Sequence, residues 1–89
     1  MERRCVVYIG RVQGVGFRAL TRAIVADFAI SGWVRNESDG SVRLEVQGAA
    51  GELDACCNAI AQQLGGFIVS TRTRSLVVLE GEQGFRIVR

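Results

Sequence analysis

The sequence contains no histidine, no lysine and no proline. Without histidine, a Ser-His-Asp triad, a cysteine–histidine pair and imidazole metal ligation are all excluded. Without lysine, a Walker A loop and Schiff-base catalysis are excluded. No apolar run approaches the ~20 residues of a membrane-spanning helix, and the first residues show no small-residue cleavage site of a signal peptide. We therefore expect a cytoplasmic protein with no membrane partner.

Cysteine is scarce, and its placement argues against disulfides. The three cysteines are Cys5, in a strand pattern, and the adjacent pair Cys56 and Cys57, in a helical pattern. An odd number with two neighbours that rarely pair with each other is typical of reduced thiols in a cytoplasmic core.

The size and charge of the chain set further limits. Its 89 residues are enough for one domain, expected to span residues 1–89, and a 48% hydrophobic content is enough for a packed core. The net charge of +2 is too small to imply a nucleic-acid partner by itself. We expect a monomer.

A glycine-rich segment between an apolar strand and a helical pattern is the most informative feature. The strand pattern ends at Ile9, the helical pattern begins at Phe17, and Arg18 stands in its first turn. Glycines allow a tight turn, and the first amides of a helix have no intrahelical partner, so together they form an anion cradle. Arg18 adds a planar fork of donors that suits phosphate. The candidate phosphate-binding loop consists of Arg11, Val12, Gln13, Gly14, Val15 and Gly16.

The periodicity predicts an α+β fold with the order β-α-β-β-α-β and a short C-terminal strand. This is the split βαβ, ferredoxin-like arrangement, for which we expect an antiparallel sheet with both helices on one face. The predicted strands are residues 3–10, 32–36, 42–47, a β-rich segment 68–79, and 85–88; the predicted helices are residues 17–28 and 53–64.

Two apolar patterns predict which side chains face the core. The first helix has Phe17, Leu20, Ile24 and Phe28 at helical spacing. The third strand alternates, with Val42, Leu44 and Val46 expected inward and Arg43, Glu45 and Gln47 outward.

Asn36 is the second candidate site residue. It ends the second strand, just before the hairpin signal Asp39-Gly40. The crossover through the first helix makes the first two strands run in the same direction, so both should finish at one edge of the sheet. Asn36 and the glycine loop should therefore face one cleft.

The segments Gly10–Arg18, Gly32–Asn36 and Asp39–Val42 together resemble those of the acylphosphatase family. The resemblance implies a hydrolase that cleaves the carboxyl-phosphate bond of acyl phosphates to a carboxylate and inorganic phosphate, without a metal or cofactor. It further implies that Arg18 binds the phosphate, that the amides of the loop from Arg11 to Gly16 cradle it, and that Asn36 positions the attacking water. Ala19-Leu20 replaces a more polar or aromatic pair of the family, which leaves the preferred substrate open.

Two other functions remain as alternatives. The same fold occurs in RNA-recognition and ligand-sensing modules, but RNA recognition calls for exposed aromatic side chains on the central strands, where only Tyr8 is a candidate. The second alternative is an accessory acylphosphatase-like domain of a carbamoyl-transferring maturation protein. Such proteins continue into zinc-binding cysteine motifs, which this sequence lacks.

Overall fold

Five strands and two α-helices follow one another in the predicted order. The computed structural model describes all of residues 1–89. The elements are β1 (Glu2–Gly10), α1 (Phe17–Val25), β2 (Ile30–Asn36), β3 (Val42–Gly48), α2 (Ala50–Leu64), a 3-10 turn (Gly65–Phe67), β4 (Ile68–Leu76) and β5 (Phe85–Val88).

The strands form one mixed sheet in the order β4-β1-β3-β2-β5. The pairs β1–β3, β1–β4 and β2–β3 are antiparallel, whereas β2 and β5 are parallel, so the expectation of an antiparallel sheet is wrong at this edge. The reason is the connection from β4 to β5. Residues 77–84, here called the crossing loop, must pass from one edge of the sheet to the other, a distance of roughly 19 Å for four strand spacings. The loop crosses near Arg3 and Gly32, where β1 and β2 begin, so β5 then runs alongside β2 in the same direction.

The core lies between the sheet and the two helices. Alternate residues of the three central strands join both helices in one apolar cluster: Val6, Tyr8, Val34, Val42, Leu44, Val46, Phe17, Ile24, Val25, Leu53, Cys56, Ile60 and Leu64. Tyr8 packs on Phe17 with their ring centroids 5.3 Å apart. Both helices therefore cover the same face of the sheet, as predicted, and Tyr8 is not available on the opposite face.

The first helix is shorter than predicted, and one of its four predicted core residues is exposed. It ends at Val25 rather than Phe28, because the amides of Asp27 and Phe28 bond to carbonyls three residues earlier and tighten the last turn. Thr21 is fully buried where the apolar pattern placed Leu20, whose side chain is 44% exposed. The other three predicted residues face the core, since Phe17 and Ile24 are buried and Phe28 packs against the apolar cluster.

The face of the sheet away from the helices, here called the open face, is partly covered by the crossing loop. Arg3 is only 1% exposed and donates hydrogen bonds to Glu45 (3.1 Å) and to Glu82 of the crossing loop (2.8 Å). The side chain of Gln47 donates to and accepts from the backbone of Leu79 (2.8 and 2.7 Å). Glu45 and Gln47 do point away from the core as predicted, but both are buried. Gln47 bonds to Leu79 of the crossing loop, and Glu45 accepts hydrogen bonds from Arg3 and Arg43.

The three cysteines are free thiols, as predicted, and Cys5 and Cys56 are buried. Burial raises the pKa of the Cys56 thiol to about 12, so it remains protonated at neutral pH. None of the helices combines the length and apolar character needed to cross a membrane.

Candidate active site

The loop between β1 and α1 depends on glycines at two positions. Gly14 and Gly16 have φ angles of 77° and 82°, and no residue other than glycine in the chain has a positive φ. A Cβ at either position would meet no atom within 4 Å, so the requirement is the backbone conformation and not a lack of space. These two glycines turn the chain from the end of β1 into the first turn of α1.

This turn leaves a series of backbone amides without partners. The amide of Arg11 donates to the carbonyl of Phe67 (2.8 Å), and the amide of Leu20 donates to the carbonyl of Gly16 (3.0 Å). Between these two residues, from Val12 to Ala19, no backbone amide donates a hydrogen bond within the protein. Unpaired donors at the start of a helix carry a partial positive charge that favours an anion. The amide of Arg11, in contrast, is already engaged.

Arg18 adds a full positive charge beside these donors. It is half-buried in the first turn of α1, and its guanidinium forms no ion pair with any carboxylate. The first turn of the helix contains no acidic residue that would compete with an incoming anion. The N–H donors of the Arg18 guanidinium are therefore free to bind a ligand.

Asn36 lies at the end of β2, opposite Val42 of β3. Its Oδ1 atom is buried and accepts no hydrogen bond from the protein. A buried acceptor without a partner costs about 1–3 kcal/mol, and such atoms are rare in folded proteins. An acceptor in this state is suited to receive a hydrogen bond from a bound molecule.

One cavity of about 250 Å³ brings these groups together. Because β1 and β2 both run antiparallel to β3, their ends meet at one edge of the sheet, as the sequence predicted. The cavity is lined by Val12, Gly14, Gly16, Phe17, Arg18, Ala19, Asn36, Ile87 and Arg89. Of the predicted loop residues, Arg11, Gln13 and Val15 are not in the lining. Ile87 and Arg89 were not predicted, because only the position of β5 beside β2 brings them there.

Gln13 has a different place from the one expected of a loop residue. Its Nε2 atom donates to the carbonyls of Glu37 and Ser41, both at 2.8 Å, and so ties the loop to the hairpin that follows Asn36. In the sequence, Gln13 is one polar residue among glycines, and no local pattern indicates a partner more than twenty residues away. Gln13 thus links the glycine loop directly to the hairpin that follows Asn36.

Comparisons with known proteins agree with one another. The family model of acylphosphatases matches residues 5–87. An acylphosphatase of Rhizobium etli is 40% identical over 79 residues, which are 88% of this chain and 84% of that protein. An acylphosphatase of Salinibacter ruber is 55% identical over 51 residues, which are 57% of this chain and 54% of that protein. Several other curated relatives are likewise matched over only about half of their length.

The solved structures point the same way. The crystal structure of acylphosphatase from Bacillus subtilis superposes with a TM-score of 0.91 at 29% identity and covers 100% of both chains. Full-length HypF in its phosphate- and nucleotide-bound form superposes with a TM-score of 0.90 at 28% identity, over 99% of this chain but only 12% of that one. With the family model matched over nearly its whole length, the chain belongs to the acylphosphatase family.

Proposed function

We propose that this protein hydrolyses the carboxyl-phosphate bond of acyl phosphates, releasing a carboxylate and inorganic phosphate. The observation that carries the proposal is the convergence on one cavity of an arginine without an ion-pair partner, a run of unpaired amides and a buried, unpaired carboxamide oxygen. The named relatives and the full-length match to the Bacillus subtilis enzyme support this function over an RNA-binding or accessory-domain role.

The phosphate group would be held by Arg18 and by backbone amides of the loop. The amides of Val12, Gln13, Gly14, Val15 and Gly16 are unpaired, and those of the first turn of α1 are as well. Arg11, whose amide bonds to Phe67, would contribute to the shape of the loop rather than to binding. In phosphoryl transfer, the protein mainly positions the phosphate and stabilises charge on its oxygens. These donors supply both.

Asn36 would position the attacking water. A carboxamide accepts one hydrogen bond through its oxygen and donates through its nitrogen, but it is not a base at neutral pH. The unpaired Oδ1 of Asn36 would accept a hydrogen bond from the water and so orient the lone pair of the water oxygen toward phosphorus. We propose that an oxygen of the bound phosphate takes the proton that the water loses.

The chemistry of the leaving group explains why these residues would be sufficient for hydrolysis. An acyl phosphate is a mixed anhydride, and cleavage between phosphorus and the bridging oxygen releases a carboxylate, a weak base that needs no general acid. The site would therefore work with no histidine, metal or cofactor. Hydrolysis of benzoyl phosphate that is unchanged by a chelator would support this, and loss of activity on chelation would contradict it.

Substitutions with matched controls test the two assigned side chains. Arg18→Lys should lower kcat/KM by about a hundredfold or more, because an ammonium group does not reproduce the guanidinium fork. Arg22→Lys, one turn later and exposed, should have no effect. Asn36→Ala should lower kcat by a similar factor while leaving the affinity for inorganic phosphate nearly unchanged, with the exposed Asn58→Ala as its control. Loss of phosphate affinity in Asn36→Ala would show that Asn36 is a ligand or a structural residue.

We also propose that residues 1–89 act as one domain, as a monomer in the cytoplasm. The one apolar cluster between sheet and helices supports the first point, and the free thiols Cys5, Cys56 and Cys57 support a reducing compartment. Light scattering coupled to size-exclusion chromatography tests the monomer, and a dimeric mass would contradict it.

A further inference from the structure

The open face of the sheet carries a second basic cleft, far from the residues of the active-site cavity. Its lining consists of Cys5, Val7, Arg43, Arg72, Thr73 and Arg74, and none of these lines the cavity of Arg18. The cleft has a volume of about 260 Å³. It lies on the face opposite the helices, because Cys5 and Val7 alternate along β1 with the core residues Val6 and Tyr8.

The strand register explains the shape of this cleft. Val7 of β1 lies between Arg72 of β4 and Arg43 of β3, and Cys5 lies between Arg74 and Glu45. The small side chains of β1 therefore form a floor, and long arginine side chains stand on both sides of it. The backbones that carry Arg72 and Arg43 are roughly 10 Å apart, since two strand spacings separate them.

The charge of the cleft is not balanced within the protein. Arg43 donates its Nε and Nη2 atoms to Glu45 (3.1 and 2.6 Å), and Glu45 also accepts from Arg3. Arg72 and Arg74 are exposed and form no ion pair or hydrogen bond through their side chains. No carboxylate lines the cleft, and the neighbouring Glu45 is shared between Arg3 and Arg43, so Arg72 and Arg74 have no counter-charge.

Arg43 is held in place for a ligand. Its guanidinium lies over the ring of Trp33 at 5.8 Å, beside that of Arg35 at 4.9 Å. The ring and Glu45 fix the orientation of Arg43, while its Nη1 atom makes no hydrogen bond. An arginine positioned in this way loses little freedom when it binds an anion.

We propose that this cleft binds a small ligand with two or more linked phosphate groups, at a site distinct from the active site. A chain of linked phosphates can contact guanidinium groups on both sides of the β1 floor at the same time and matches the unbalanced positive charge, whereas a single phosphate offers less charge and fewer oxygens for these contacts. A guanidinium group can donate two parallel hydrogen bonds to two oxygens of one phosphate, so an arginine-lined cleft favours phosphate over anions that offer only one acceptor atom. The volume of the cleft suits a small molecule.

Trp33 is the only tryptophan of the chain and reports on the site directly. Titration with tripolyphosphate should give a saturable change in Trp33 fluorescence, because engagement of Arg43 alters the contact with the ring. The change should persist in the Arg18→Lys variant, since Arg18 lies at the other site. Inorganic phosphate should produce a change only at concentrations at least about tenfold higher, because it loses one of the charge-assisted contacts.

The double variant Arg72→Gln/Arg74→Gln tests the assignment. It should weaken tripolyphosphate binding at least about tenfold, whereas Arg72→Lys/Arg74→Lys, which keeps the charge but loses the guanidinium fork, should bind with intermediate affinity. Arg86→Gln, on the same face but outside the cleft, is the matched control and should bind like wild type. Unchanged hydrolysis of benzoyl phosphate in all of these variants shows that they are folded.

Each outcome decides the proposal. Binding of ATP tighter than that of tripolyphosphate identifies a nucleotide as the source of the phosphates, and equal binding identifies a bare phosphate chain; both support the site. The proposal is overturned by the absence of a saturable response confirmed by calorimetry, or by undiminished binding in Arg72→Gln/Arg74→Gln. Tighter binding of an oligothymidylate than of either small ligand would overturn it in favour of a nucleic-acid surface.

Discussion

Gln13 offers a test of how the glycine loop and the Asn36 hairpin are aligned in the proposed active site. Replacing it with alanine removes both hydrogen bonds from its Nε2 atom, to the carbonyls of Glu37 and Ser41. The glycine loop would remain attached to β1 and α1, but its link to the hairpin after Asn36 would be lost. Neither carbonyl would become a buried orphan, because the contact with Glu37 is exposed to water and the carbonyl of Ser41 still accepts from the amide of Glu37 (2.9 Å).

The structure sets the expected size of each effect. A neutral side-chain hydrogen bond adds about 1 kcal/mol or less at an exposed site, so Gln13→Ala should lower the free energy of unfolding by about 1 kcal/mol. For a protein of this size, that corresponds to a decrease in Tm of about 4–8 °C. The effect on catalysis should be larger, because a shift of about 1 Å between water and phosphate can reduce the rate about a hundredfold. We expect kcat/KM for benzoyl phosphate to fall by about ten- to a hundredfold.

The assay compares Gln13→Ala with Gln83→Ala, an exposed glutamine of the crossing loop that makes no side-chain hydrogen bond. Both variants are measured for benzoyl phosphate hydrolysis and thermal unfolding under one set of conditions. If Gln13→Ala hydrolyses the substrate as fast as Gln83→Ala, the loop and hairpin are aligned by other contacts, and the reasoning is refuted.

Two further predictions concern stability. Thr21→Val should raise the free energy of unfolding by about 1 kcal/mol, because it removes a buried hydroxyl without a partner at constant shape; a destabilised variant in urea unfolding would contradict this. Burial raises the pKa of Glu82, but the hydrogen bonds from Arg3 and Ser31 lower it by more, so the pKa in the folded protein lies below that in the unfolded chain. Its contribution is then present above pH ~4.3 and lost as the pH falls through the folded pKa. Glu82→Gln should therefore be less stable than wild type at pH 7, and this difference in the free energy of unfolding should shrink as the pH is lowered below ~4.3.

The residues of the candidate site that could be predicted from the sequence are those whose positions follow from local sequence patterns and from the order of the elements. The glycines and Arg18 lie on one continuous strand–loop–helix segment, where spacing alone indicates free amides at a helix start. Asn36 could be assigned to the same site because the crossover through α1 determines that β1 and β2 run in the same direction. Both inferences needed only the order of the elements, and the cavity confirms that these residues meet.

The remaining features depend on contacts between distant segments. The parallel position of β5 follows from the path of the crossing loop, and it alone brings Ile87 and Arg89 to the cavity. The burial of Glu45 likewise depends on Arg3, which in turn bonds to Glu82 of that loop. Alternation along a strand indicates which face a side chain occupies, but it does not indicate what covers that face.

The most direct test of the proposed active site is an amide NMR titration with inorganic phosphate. We expect the signals of residues 12–19 to move together with one dissociation constant, and we expect Arg18→Lys to weaken that binding at least about tenfold. If these amides stay unchanged while phosphate binds elsewhere on the protein, the glycine loop and Arg18 do not form the phosphate site.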